Sequence, residues 1–201
     1  MFNSKTERIG QLAKKYFYRI DELKKILDKP TNMYIDFANV YRWQVKLGWH
    51  IDLERLKQFL DSFDTIKQVK YYSGTLEGDE GSEKAIEKAR RLGYLVVTKP
   101  VKKMRISIDV SSVSAYSPEI LKQFIRATLL QKLNIQTIEF LNARLRELNQ
   151  QGILYVEDRK CNFDVEIGVD MLLDCREKKA DNFILWSGDS DFAGPLRQLL
   201  G

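Results

Sequence analysis

The run Ile184-Leu185-Trp186 stops abruptly at Ser187-Gly188-Asp189-Ser190-Asp191, and no other stretch limits the fold so strongly. A short apolar run cut off by Ser-Gly reads as a buried strand entering a tight turn. In open α/β sheets, the carboxyl ends of such strands form the ligand crevice. Two carboxylates held there repel each other. A hard divalent cation, Mg²⁺ or Mn²⁺, is the natural compensation. The plainer reading is that one Asp caps the next helix.

The rest of the chain supports an α/β fold. Residues 5–28 carry Ile9, Leu12, Tyr16, Ile20, Leu23 and Leu27 at helical spacing, and Pro30 marks the stop. Residues 33–37 read as a short strand. Leu53, Leu56, Leu60 and Phe63 form one helix face, with Asp52 near its start. Strand 66–72 closes in Ser73-Gly74. Helix 82–92 follows, with Ser82 as the expected N-cap, then strand 94–97. Strands alternating with helices imply right-handed βαβ units and a mostly parallel sheet. The alternation resumes with a helix over 163–176, the strand at 183–187 and a final helix.

Between about 104 and 158 the alternation breaks. Ile106, Ile108 and Val110 read as a strand arm, with Ile153–Val156 returning antiparallel to it. Ser117-Pro118-Glu119 is a helix start, and Ile120, Phe124, Ile125 and Leu129 supply that helix's face. A second helix carries Ile135, Ile138, Leu141, Leu145 and Leu148. The segment reads as an inserted helical hairpin on a two-stranded stalk. Gly201, just past a helix, leads one to expect a further strand, as in a chain cut short of its last element.

Composition excludes several chemistries. The 201 residues suit one domain with a sizeable insertion. No apolar run approaches a membrane span, and no signal peptide is visible, so a cytoplasmic location is expected. His50 is the only histidine, and Cys161 and Cys175 are the only cysteines. Zinc and a Cys/His hydrolase are therefore disfavoured. The net charge of +5 is unevenly spread: Lys88, Arg90, Arg91, Lys99, Lys102, Lys103 and Arg105 crowd one segment. Such a patch suits a polyanion, although a solvated helix face is the commoner explanation.

Four acids fall where a shared site would need them: Asp36 at the end of the first strand, Asp189 and Asp191 after the last, and Asp164 at a helix start. Asn39 follows Asp36 by three residues and suits a phosphate or a bound water. Asp36-x-x-Asn39, the run from Asp164 to Asp170, and Ser187-Gly-Asp-Ser-Asp-Phe192 with Pro195 together resemble the NYN domain, the LabA-like branch of the PIN-like nuclease superfamily. The resemblance covers roughly residues 31–104 and 158–201. It implies a PIN-like three-layer fold with an added N-terminal helix (1–30) and a helical insertion at about 104–158. It implies a metal-dependent ribonuclease, with Asp36, Asp164, Asp189 and Asp191 as metal-binding and catalytic acids and Asn39 as accessory. Asp170 matches another family acid, but it lies six residues past Asp164 and so faces a different side of the helix. The family often has Lys three residues before the Asp164 equivalent; here Lys160 stands four before, and Cys161 lies between.

The expected partner is RNA, single-stranded, with Lys99, Lys102, Lys103, Arg105 and Lys160 on its phosphates and Tyr41, Trp43 and Trp49 available to stack on bases. Core packing is the favoured role for at least one of these aromatics. A homodimer through the insertion or the N-terminal helix is a further expectation. Two rivals stand beside this reading. A Toprim-type phosphotransfer domain needs a Glu on an early Gly-containing turn, where this chain has Asp36-Phe-Ala-Asn39. A non-catalytic RNA-binding or regulatory scaffold would keep the PIN-like site and act through partner contacts.

Overall fold

Strand β1, Thr31–Asp36, is buried along its whole length. It needs a layer on each face, because its side chains point alternately to the two sides. The computed structural model supplies both layers. It describes residues 1–200, and for Arg42, Val45 and Leu200 the backbone only. Gly201, and the expectation of a further strand after it, lie outside the described residues.

β1 pairs in parallel with β2 (Ile66–Thr75) on one side and with β6 (Asn182–Trp186) on the other. β3 (Leu95–Pro100) extends the sheet in parallel from β2, giving the order β3-β2-β1-β6. On one face, Met33, Ile35, Val69 and Tyr71 pack with Val40, Leu53 and Leu60, from helices α3 (Phe37–Leu47) and α4 (Leu53–Leu60). α5 (Glu80–Arg91) adds Ala89 to the same layer. On the other face, Tyr34 and Tyr72 pack with Ile167 and Met171 of α8 (Asp164–Arg176), and α9 (Ala193–Leu200) packs beside α8. The architecture is thus α/β, with a parallel four-stranded sheet flanked by helices.

Two local expectations are corrected and one helix is added. The helix foreseen over 5–28 is two helices, α1 (Glu7–Lys15) and α2 (Phe17–Ile26), interrupted at Tyr16, whose φ/ψ of −116°/40° leaves the helical region. Asp79, not Ser82, caps α5; its side chain accepts from Gly81 N, and Ser82 Oγ donates to Gly74 O. α3, which apolar periodicity leaves unassigned, is a full helix, with Asp36 accepting from Asn39 N at its start and Gly48 at φ 65° closing it.

The chain forms two compact units, Met1–Val101 with Cys161–Gly201, and Lys102–Lys160. In the second unit, β4 (Lys102–Ser107) and β5 (Tyr155–Lys160) make an antiparallel ribbon. Here the foreseen hairpin of two long helices is corrected to one. Ser117-Pro118 begins only a short 3-10 turn at Leu121–Gln123. The chain extends at Arg126 (ψ 139°) before the one-turn α6 (Ala127–Leu130). Only α7 (Ile135–Gln150) is long. Burial explains the break: Leu121 and Leu130 turn in against Ile138, while Phe124 and Leu129 of the expected face stay exposed. Buried Asn142 of α7 donates to the carbonyls of Ala115 and Ser117, both at 2.8 Å, and so holds this loop in a non-helical path.

Replacing residues 111–151 by a short linker should leave the first unit folded, with a cooperative melt and its α/β circular dichroism retained. A non-cooperative melt would show that the segment belongs to the main core.

Candidate metal centre

The site starts from the register of β1 and β6. Ile35 is paired with Trp186, so Asp36 and Ser187 leave the sheet side by side at its carboxyl edge. Ser187 Oγ donates to Asp36 Oδ2 at 2.9 Å. The same hydroxyl oxygen accepts from Asp189 N at 3.2 Å. Asn39, one turn into α3, accepts from Gly188 N at 3.3 Å. The Ser-Gly turn is therefore clamped to the Asp36–Asn39 segment. Only glycine fits at 188: a Cβ there would lie 2.7 Å from Cζ2 of Trp43. Trp43 thus takes the packing role among the three aromatics, while Tyr41 and Trp49 are exposed.

The clamped turn delivers two carboxylates. Asp189 Oδ1 accepts from Asp191 N at 3.1 Å and caps the short 3-10 turn Ser190–Phe192. The capping reading is therefore true of Asp189, yet its carboxyl also faces its neighbours. Carboxylate oxygens of Asp164, Asp189 and Asp191 all lie within 4.8 Å of one another. Asp164 opens α8 but does not cap it; its own amide donates to Asn162 Oδ1 at 2.8 Å. Burial pushes the Asp164 carboxyl above its ordinary range, and the charges of Asp189, Asp36 and Asp191 add to this, while the hydrogen bond with Asn162 pulls partly back. Asp36 itself is buried.

Mutually repelling oxygens at this spacing, with no nitrogen or sulfur ligand among them, are a donor set that fits a hard divalent cation. Asp170, by contrast, accepts from Tyr72 OH at 2.6 Å and faces Lys70 at 3.4 Å, away from the centre. Burial also raises the Cys161 thiol above its ordinary value, which keeps it protonated and a poor nucleophile.

A family model then speaks to the same elements. The NYN domain matches residues 110–200. The match supports an NYN domain, the PIN-like α/β fold and, at family level, a nuclease. It contains Asp164, Asp189 and Asp191, but it reaches the resemblance read from the sequence only over 158–200 and also runs through 110–158. No curated protein and no solved structure matches the chain. Among the described residues, no helix is long and apolar enough to cross a membrane.

The basic residues divide between the two units. Lys99, near the end of β3, is held at 2.6 Å by Glu166 and lies over the ring of Phe163. Lys102, Lys103, Arg105 and Lys160 are on the β4–β5 ribbon. Lys102 sits opposite Lys160, and Lys103 opposite Arg159. Arg159 escaped the sequence reading, although a count of basic residues along 155–160 would have found it.

Proposed function

We propose that this chain is a metal-dependent ribonuclease of the LabA-like NYN branch, hydrolysing RNA phosphodiester bonds with Mg²⁺ or Mn²⁺ held by Asp164, Asp189, Asp191 and Asp36. The observation that carries the reading is the convergence of three carboxylates within 4.8 Å at the carboxyl edge of the sheet, in a segment that the NYN model covers. NYN nucleases act on RNA, and their chemistry calls on neither histidine nor cysteine, which suits a chain with one histidine.

Bound there, the cation would neutralise charge on the phosphate and lower the pKa of an attacking water. The protein's own contribution is to hold the acids in place before the cation arrives. Asp36 fixes Ser187, Ser187 fixes the Asp189 amide, and Asn39 fixes Gly188. We assign the NYN domain to residues 31–201, interrupted at about 104–158.

A thermal-shift titration with Mn²⁺, run beside cleavage of a single-stranded RNA, tests the proposal. Stabilisation by the cation with cleavage supports it. The absence of any cation-dependent stabilisation would turn the reading to a scaffold.

The ribbon is the proposed phosphate contact. Like charges directly opposite each other on paired strands are destabilising, and a polyanion offsets that repulsion. Neutralising Lys102, Lys103 and Lys160 together should flatten the log-log salt dependence of single-stranded RNA binding by about two, at ~0.7 per phosphate contact. A slope equal to the wild type's would leave the ribbon without a role in RNA contact.

A further inference from the structure

A cleft of about 450 Å³ opens at the carboxyl ends of β1 and β2, against the start of α5. That volume falls within the ~300–1,000 Å³ typical of small-molecule sites. Phe37 and Ala38, the two residues next to Asp36, line it, so the cleft begins one residue from the acidic centre.

Its lining specifies a ligand chemistry. Phe37, Tyr41 and Tyr71 supply aromatic surface. The Phe37 and Tyr71 rings lie 4.8 Å apart, and Tyr41, at 55% exposure, is the accessible one. Tyr71 is wholly buried, and its hydroxyl has Ser73 beside it but makes no hydrogen bond of full geometry. A buried hydroxyl left in that state is costly, and a ligand offering it a partner removes the cost. Asp79 accepts from Gly81 N through Oδ1, and a carboxylate has a second oxygen to offer. Among the described side chains the lining is aromatic, small and acidic, with Asp79 as its charged group, a lining that suits a ring bearing N–H donors. A flat ring bearing an amino group answers every feature. It stacks on Tyr41 as bases do on exposed aromatics, it donates an exocyclic N–H to Asp79, and a ring atom pairs with the Tyr71 hydroxyl.

We propose that this cleft binds one nucleobase of the RNA strand, beside the phosphate addressed by the acidic centre, and prefers the amino-bearing bases adenine, guanine and cytosine to uracil. The proposal rests on the ribonuclease reading for its substrate. Its test does not, because free nucleosides carry no phosphate and call for no metal.

Metal-free full-length protein is titrated with adenosine and with uridine, following the amide resonances of Ser82 and Ala85. Adenosine should saturate these shifts, and uridine should bind at least threefold more weakly, the worth of one hydrogen bond. Ala85 is exposed and lines the cleft, so Ala85→Phe should fill it and weaken adenosine by about tenfold or more. The same variant should keep the wild-type shift in melting temperature with Mn²⁺. Tyr71→Phe removes only the hydroxyl and should cost roughly three- to tenfold; it decides the matter if Ala85→Phe does not fold. Failure of the wild type to bind adenosine overturns the proposal. So does equal binding of adenosine and uridine, or adenosine binding unchanged in the variants. Adenosine binding by a protein that Mn²⁺ does not stabilise would strike the ribonuclease reading alone and leave the nucleobase site standing.

Discussion

Asp189→Asn should lower metal-dependent RNA cleavage by about three orders of magnitude, because a cation at the reacting phosphate supplies several kcal/mol. The same change should leave metal-free thermal stability equal or higher. Asp189 has two jobs in the structure, and the substitution separates them. Its Oδ1 accepts from Asp191 N, a capping role that Asn fills about as well as Asp. Its charge joins those of Asp164 and Asp191 within 4.8 Å, and neutralising one member relieves repulsion when no cation is present. The cation-dependent rise in melting temperature should therefore disappear with the activity. A variant that retains both the rise and the cleavage would reduce Asp189 to a helix cap.

The largest structural effect is expected behind the site, at Asp174 of α8. This carboxylate is fully buried and accepts from Tyr34 OH at 2.7 Å and Asn32 Nδ2 at 3.3 Å. It pairs with Lys70 at 2.9 Å and Lys179 at 3.3 Å. Lys70 rises from β2 and also faces Asp170 at 3.4 Å. The network ties two successive turns on one face of α8 to the sheet and so sets the position of Asp164 at that helix's start. Asp174→Ala removes the best-placed partner of a largely buried Lys70, a loss worth about 3–5 kcal/mol, or roughly 10 °C in Tm for a chain of this size.

The pH dependence follows from the direction of the shift. Desolvation pushes the Asp174 carboxyl up, but hydrogen bonds from Lys70 and Tyr34, with the Lys70 charge, outweigh it and leave it below its ordinary value. A depressed folded pKa contributes stability that is complete above the unfolded value of about 3.9 and is lost as pH falls through the folded one. The gap between wild type and Asp174→Ala in urea denaturation should thus be widest near about pH 7 and narrow towards about pH 3. A gap below about 1 kcal/mol at neutral pH would mean that Asp170 alone satisfies Lys70.

Much of this was legible from local pattern. Short apolar runs ending in turn residues mark strands, because a strand buried on both faces takes polar side chains only where they find hydrogen-bond partners. Ile184–Trp186 followed by Ser-Gly, and Met33–Ile35 followed by Asp36, could be read that way without any partner in view. Helix faces were less secure. Phe37–Leu47 escaped because Tyr41 and Trp43 read as surface stacking residues, whereas Trp43 packs beneath the Gly188 turn. The 117–130 region carried a good start signal and enough apolar residues for one helix. The structure buries Leu121 and Leu130 instead of the expected stripe, because the nearest apolar surface is that of α7 and the loop carbonyls find Asn142.

The sequence by itself determined the alternation of strands and helices and the chemical type of the candidate ligands. Each of these depends on residue identity and spacing along the chain, which local physics reads directly. Only the tertiary structure decided that Ser187 and Asn39 clamp the turn to β1, that Asp170 turns to Tyr72 and Lys70, that Lys99 is held by Glu166, and that Tyr71 lines a cleft. Those facts join residues 30 to 150 positions apart, through a register between β1 and β6 that neither strand's sequence specifies alone. Pairing in a parallel sheet is set by what both faces of the layer bury, and that becomes defined only when the whole core is assembled.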